Sequence, residues 1–152
     1  RNLVLLYRDL GRLDEAIQQA ENMTQVTPDS ERGNTYYRLG TLYEAGERPD
    51  EAIAAYRESV AADPNLFQAQ ATLGNLYLGQ GRLEEALPAF QAVAQLNPND
   101  YAVHQQLALI YQQLGRYDEA LAEANQALNL APDDVKESLQ QLVSQIEEQS
   151  GS

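Results

Sequence analysis

The sequence contains no cysteine, a single histidine and no apolar run long enough to span a bilayer. Without cysteine there is no disulfide, no thiolate nucleophile and no Cys-based metal site, although that absence does not choose a compartment. One histidine, His104, leaves few nucleophile–base pairings. The GxSxG, HExxH and P-loop patterns are missing, as is a GxGxxG after a strand. Adjacent acids such as Glu84-Glu85 and Asp133-Asp134 point in different directions on a helix or lie in turns, so they read as solvated surface rather than paired carboxylates. Neither catalysis, a cofactor nor a metal is expected. Basic residues are scarce as well: 10 Lys and Arg stand against 23 Asp and Glu, a net charge of −13. That balance disfavours nucleic acid and anionic membranes as partners. No signal-peptide pattern is visible. The chain opens on Arg1 in mid-pattern, so an excised piece of a longer protein is expected.

What the sequence has in quantity is recurrence. Tyr43, Tyr77 and Tyr111 are 34 residues apart, as are Ala52, Ala86 and Ala120, and Pro64, Pro98 and Pro132. Tyr7, Ala16 and Pro28 continue the series one unit earlier at a spacing of 36, which places two inserted residues near Glu31 and Arg32. Residues 67–100 serve as the template: two helical patterns flank a Gly-Gln-Gly turn, and Pro98 closes the unit. Leu73, Gly74 and Tyr77 share one helix face. A single hairpin of this kind cannot bury its apolar face and must stack on copies of itself.

Taken along the chain, the units cover about residues 1–30 (lacking its opening residues), 33–66, 67–100 and 101–134. Together they form one domain over 1–148. Gly46 is expected to supply the turn of the second unit, with Pro49 opening its second helix, where a missing N–H costs nothing. Pro88 lies inside a second helix, where a small kink or a lost hydrogen bond is expected. Leu139, Leu142, Val143 and Ile146 are spaced as one more first helix, with one residue inserted near Val135, and no second helix follows. Residues 135–148 therefore read as a capping helix with one apolar and one polar face, and 149–152 as a disordered tail. The rival reading, an amphipathic membrane helix, has only Lys136 as a base and carries three Glu.

A helix–turn–helix of about 34 residues with these recurring positions resembles the tetratricopeptide repeat (TPR) family, and the resemblance covers nearly the whole chain. It implies an all-α fold: a right-handed superhelical solenoid of antiparallel helix pairs, closed by the C-terminal capping helix. It also gives the recurring residues framework roles. Gly40 and Gly74 permit close helix approach, and the four tyrosines fill between helices. Asp14, Asp50, Glu84 and Asp118, each followed by Glu, sit at second-helix N-termini. Arg12, Arg48, Arg82 and Arg116 pair with those acids on the surface. His104 stands at position 4 (Phe67 being position 1), where the family often has a bulky residue such as Trp, and reads as packing rather than as a base or ligand. Gln70 departs from the pattern there, and a looser interface is expected.

The resemblance further implies that positions 2, 5, 6, 9, 12 and 13 of the first helices line a concave groove that binds peptides. Carried onto this chain, the groove comprises Arg1, Arg8, Asn34, Tyr37, Arg38, Thr41, Gln68, Thr72, Asn75, Gln105, Gln106, Leu109 and Gln140, with Glu44 and Gln112 also at groove positions and Glu137, Ser144, Glu147 and Glu148 added by the capping helix. Arginines stand at one end, amides in the middle and Glu137, Glu147 and Glu148 at the other. Amides can bond an extended backbone without demanding a sequence, and the arginines suit a carboxylate or an acidic side chain. Chaperone-adaptor members of the family clamp a C-terminal carboxylate with a Lys–Asn–Asn–Lys–Arg set. The matching positions here are Arg1, Leu5, Arg38, Gln68 and Thr72, or in the next frame Tyr37, Thr41, Thr72, Ala102 and Gln106, and neither fits. RNA binding, known in the related pentatricopeptide repeats, conflicts with the acidic charge. The expected role is thus a non-catalytic scaffold that holds an extended segment of a partner protein. Self-association through exposed Leu3, Leu6 and Tyr7 is the alternative. A merely hydrophilic face, with the partner bound elsewhere, is the plainer one.

Overall fold

The computed structural model of the protein describes residues 11–151. The expected opening helix and its Arg1, Leu3, Leu6, Tyr7 and Arg8 lie outside the described residues. Every regular element among those described is helical: α1 (Leu13–Val26), α2 (Asp29–Ala45), α3 (Pro49–Ala62), α4 (Phe67–Gly79), α5 (Leu83–Leu96), α6 (Tyr101–Gln113), α7 (Tyr117–Leu130) and α8 (Asp133–Ser150). Contacts divide the chain into two compact units, one ending at Leu73 and the other beginning at Gly74, so the division falls inside α4.

In the first unit α1 packs on α2 and α2 on α3. Of the inner stripe that the spacing predicts, Tyr36, Leu39, Gly40 and Tyr43, the last three are buried on α2, as are Ala52, Ile53 and Tyr56 on α3, and Tyr36 is half-exposed. Gly40 is required by geometry, because a Cβ there would lie 2.6 Å from the Tyr56 ring. In the second unit α5 packs on α6, α6 on α7 and α7 on α8. Gly74 does the same service against Phe90, where a Cβ would come within 2.8 Å. The fourth repeat solves the same crossing differently. Ala108 replaces the glycine and Ala124 the aromatic ring, and both are wholly buried. Helix α5 continues unbroken through Pro88.

The turn between paired helices needs one residue with positive φ. Gly81 and Gly115 supply it at φ 71° and Gly11 at φ 64°. In the second repeat the expectation fails: Gly46 caps α2 at φ −88°, and Glu47 takes the left-handed place at φ 56°. The reason is register. The left-handed residue is the one before the recurrent arginine, whose N–H closes the turn onto a tyrosine carbonyl (Arg48 to Tyr43, Arg82 to Tyr77 and Arg116 to Tyr111, each 2.9 Å).

Two further expectations move. The second repeat's first helix begins at Asp29 rather than 33, and the terminal helix runs from Asp133 through Ser150 rather than over 135–148, so 149 and 150 are helical rather than a disordered tail. Both helices begin on the Asp of a Pro-Asp dipeptide: Pro28 and Pro132 occupy the N-cap position, with acids in the first turn, where the helix dipole favours them. The Gln112 amide donates to Gln149 Oε1 at 2.9 Å, which ties down the far end of α8. Where the dipeptide is Pro-Asn, at Pro64 and Pro98, the helix starts two residues later.

The proline carbonyls record this choice. Pro28 O accepts from Glu31 N (3.0 Å) and Pro132 O from Val135 N (3.2 Å), inside the early-starting helices. Pro64 O instead accepts from Gln70 Nε2 at 3.1 Å, and Pro98 O from His104 Nε2 at 3.0 Å. Gln70 is therefore 6% exposed and bonded, a correction to the looser interface expected from its departure from the pattern. Where the helix supplies no donor to the proline carbonyl, the side chain at position 4, Gln70 or His104, does.

Candidate interaction surface

The positions expected to line a groove are accessible, whereas most of the stripe positions are buried. On α2, Asn34, Arg38 and Glu44 are exposed and Tyr37, Thr41 and Ala45 half-exposed, whereas Leu39, Gly40 and Tyr43 are buried. Gln68 is exposed and Thr72 half-exposed in the first unit. In the second unit Asn75 is exposed, and Gln105, Gln106, Leu109 and Gln112 are half-exposed along α6. Gln140 and its neighbours Glu137, Gln141, Ser144 and Glu148 line a shallow depression on α8. Each unit thus carries its own accessible first-helix face, and the sequence-derived residues divide between them.

The first unit's face is the more structured. Tyr56 is wholly buried, and its ring centroid lies 5.5 Å from that of Tyr37. The Tyr56 hydroxyl donates to Glu44 Oε2. Burial first, and the Glu44 carboxylate second, hold this phenol far above its ordinary pKa, so it remains a donor. Thr41 Oγ1 donates to its own helix at Arg38 O (2.7 Å).

In both units the arginines at the helix–helix turns are occupied in pairs of their own. Arg12, Arg48, Arg82 and Arg116 pair at i,i+3 with Glu15, Glu51, Glu85 and Glu119, the second acid of each pair. These bonds hold the carboxyls of Glu15 and Glu119 below the usual range; Glu51 is lowered first by its own backbone N–H and then by Arg48. Three of the guanidinium groups also stack on the preceding tyrosine: Arg48 on Tyr43 at 4.7 Å, and Arg82 on Tyr77 and Arg116 on Tyr111 at 4.6 Å. The stacking escaped sequence reading, although the constant Tyr-to-Arg spacing of 5 carries it. Arg32 and Lys136 pair with Asp29 and Asp133. Arg38 and Arg57 join no ion pair among the described residues. Around Arg38 the reason is local: positions i±3 and i±4 hold Asn34, Thr35, Thr41 and Leu42, without an acid.

His104 is spent on structure. Beyond its bond to Pro98 O, Nδ1 stands 2.7 Å from Glu123 Oε2, and the side chain is only 11% exposed. Among the described residues no group of His, Cys, Asp and Glu could hold a metal ion, and no helix is long and apolar enough to cross a membrane.

Tetratricopeptide repeat models match residues 1–65 and residues 77–146. The chain belongs to the tetratricopeptide repeat family. Solved TPR structures share its fold. MamA of MSR-1 is 26% identical with a TM-score of 0.69, over 100% of this chain and 85% of that one. MamA of AMB-1 is 25% identical with a TM-score of 0.73, over 99% and 80%. A tetratricopeptide repeat protein from Parabacteroides merdae ATCC 43184 is 18% identical with a TM-score of 0.75, over 98% of this chain and 60% of that one, a likeness of fold alone. A search of the curated proteins finds no match. Family and fold together support a protein-interaction scaffold.

Proposed function

We propose that the exposed first-helix faces of this TPR chain hold an extended segment of a partner protein, without catalysis, and that Arg38 receives an acidic side chain or a terminal carboxylate. The observation that carries this reading is the idle guanidinium. Six other basic side chains sit in i,i+3 pairs, whereas Arg38 has none among the described residues and lies exposed beside Asn34 on the groove face. An unpaired guanidinium offers a planar fork to a carboxylate, and an amide beside it offers both a donor and an acceptor to a peptide backbone. Gln68 and Thr72 are accessible in the same unit.

The test is an NMR titration of the full chain with acetyl-Gly-Ser-Gly-Asp. Shifts should concentrate at Asn34, Arg38, Gln68 and Thr72. They should vanish in Arg38→Glu and persist in Arg57→Glu, the other arginine without an ion pair. Shifts that survive Arg38→Glu would remove the proposal.

A further inference from the structure

The TPR framework does not need the Tyr56–Glu44 bond. At the corresponding positions of the third repeat the chain has Phe90 and Leu78, and at those of the fourth Ala124 and Gln112. Both alternatives bury their inner residue, Phe90 at 6% exposure and Ala124 at 0%. Only the second repeat places a buried phenol beneath the face and a carboxylate above it. That carboxylate is exposed, stands in no ion pair among the described residues, and has its Oε2 fixed by the Tyr56 hydroxyl. One oxygen is thereby held in place while Oε1 takes no hydrogen bond among the described residues. A preorganised acceptor of this kind gives up less side-chain entropy on binding than an ordinary surface glutamate.

Glu44 also has company on its face. Tyr37 lies seven residues earlier, two helical turns and roughly 10 Å along the axis, and its ring is braced by Tyr56. Half-exposed Thr41 lies between them. Gly40 makes both contacts feasible, since the space above it is filled by the Tyr56 ring.

We infer that Glu44, held by Tyr56, is a subsite for a lysine or arginine side chain of the bound segment, whose chain runs past Thr41 towards the Tyr37 ring. This rests on the first-helix face being the binding surface. It assigns Tyr56, which no partner can touch, as the positioning residue for Glu44. Charge complementarity supports a basic occupant: carboxylate and aromatic ring together suit a cation with an aliphatic stem. With Arg38 six residues before Glu44 on the same helix, the partner's segment would carry opposite charges in a fixed order.

A pair of peptides tests this on the full chain: acetyl-Gly-Ser-Lys-Ser-Gly-amide for Glu44 and acetyl-Gly-Ser-Gly-Asp for Arg38. The lysine peptide should shift the Tyr37 ring protons and the Glu44 side chain. Its affinity should fall about tenfold in Glu44→Gln and about threefold in Tyr56→Phe, with the aspartate peptide unaffected. Tyr56→Phe leaves the net charge unchanged, so its effect separates the anchored subsite from the general attraction of an acidic protein for cations. Thermal melts confirm that both variants fold. Should Tyr56→Phe fail to fold, Glu44→Gln alone decides. Equal lysine-peptide affinity in wild type and Glu44→Gln overturns the subsite, and if the aspartate peptide still binds, the surface itself stands. Failure of both peptides overturns the surface.

Discussion

The second and fourth TPR hairpins, α2/α3 and α6/α7, are built to one plan and reach it by opposite means. In the second, a glycine makes room for a large aromatic ring whose hydroxyl must then find a partner. In the fourth, two alanines fill the corresponding positions and nothing polar is buried there. The second hairpin keeps a polar connection between core and surface, through Tyr56 and Glu44. The fourth spends its polar group at the hairpin's entrance, where His104 joins a proline carbonyl to α7. Framework packing thus tolerates either volume split, and the placement of polar groups is what distinguishes the repeats.

The comparison breaks most visibly at Tyr56. Tyr56→Ala should cost roughly 3–5 kcal/mol as a large core deletion, and Gly40→Ala about 1–3 kcal/mol as overpacking. The double variant imitates the alanine pair of the fourth hairpin. Denaturant unfolding should show it losing less than the sum of the singles, by about 1–2 kcal/mol. Strict additivity would mean that the two positions are independent.

His104→Ala should cost about 1–3 kcal/mol, since it removes two part-buried hydrogen bonds, to the Pro98 carbonyl and to Glu123. His104→Gln should recover part of this, because Gln70 makes the same bond to Pro64 in the preceding repeat. Equal melting temperatures for the two variants would contradict that role.

At the helix–helix turn the fourth hairpin has the better residue. Gly115 occupies the left-handed place at φ 71°, where the second has Glu47 at φ 56°. Glu47→Gly should therefore stabilise by about 0.5–1 kcal/mol. A loss of stability in urea unfolding would show that the Glu47 side chain contributes more than its backbone strain costs.

The smallest effect separates the two inner tyrosines. Tyr43 donates to Glu21, whereas Tyr111 accepts from Gln91 Nε2 at 2.8 Å. Burial, followed by the Glu21 carboxylate, pushes the Tyr43 phenol up to about 12. A raised folded-state value stabilises the fold fully below the unfolded value near 10, and the contribution disappears as pH rises towards 12. Tyrosinate absorbance should show a late ionisation step that Tyr43→Phe deletes. Persistence of that step in the variant would assign it to another residue.

Most of the fold was legible because it depends on spacing within single helices. The stripe of Leu39, Gly40 and Tyr43, the capping face of Leu139 and Leu142, and the proline at the head of α3 all follow from periodicity. Pairings across helices were harder. That Gly40 answers Tyr56, and Gly74 answers Phe90, can be seen only once the paired helices are known to cross there. Glu47 was missed because the neighbouring Gly46 looked like the residue that needs conformational freedom. Helix α8 was placed too short because its start depends on Pro-Asp rather than on apolar period. Of the candidate surface, the exposed positions were readable, but the idle state of Arg38 and the anchoring of Glu44 were not. Both are properties of partners made or withheld in three dimensions.

The two kinds of proline junction bear on how such chains change length. Position 4 lies seven residues beyond the first residue of α2 but three beyond that of α4, and six beyond that of α8 but three beyond that of α6. The additions of four and three residues are each close to one turn of about 3.6. The helix start therefore turns to within about 60° of the same azimuth, although the repeat has grown by only two residues or one, the connecting loop giving up the rest. What must be inherited from one repeat to the next is thus an angle of entry rather than a residue count. A solenoid can mix units of unequal length without disturbing its seam, provided each insertion is matched by a junction that rewinds the helix by a whole turn.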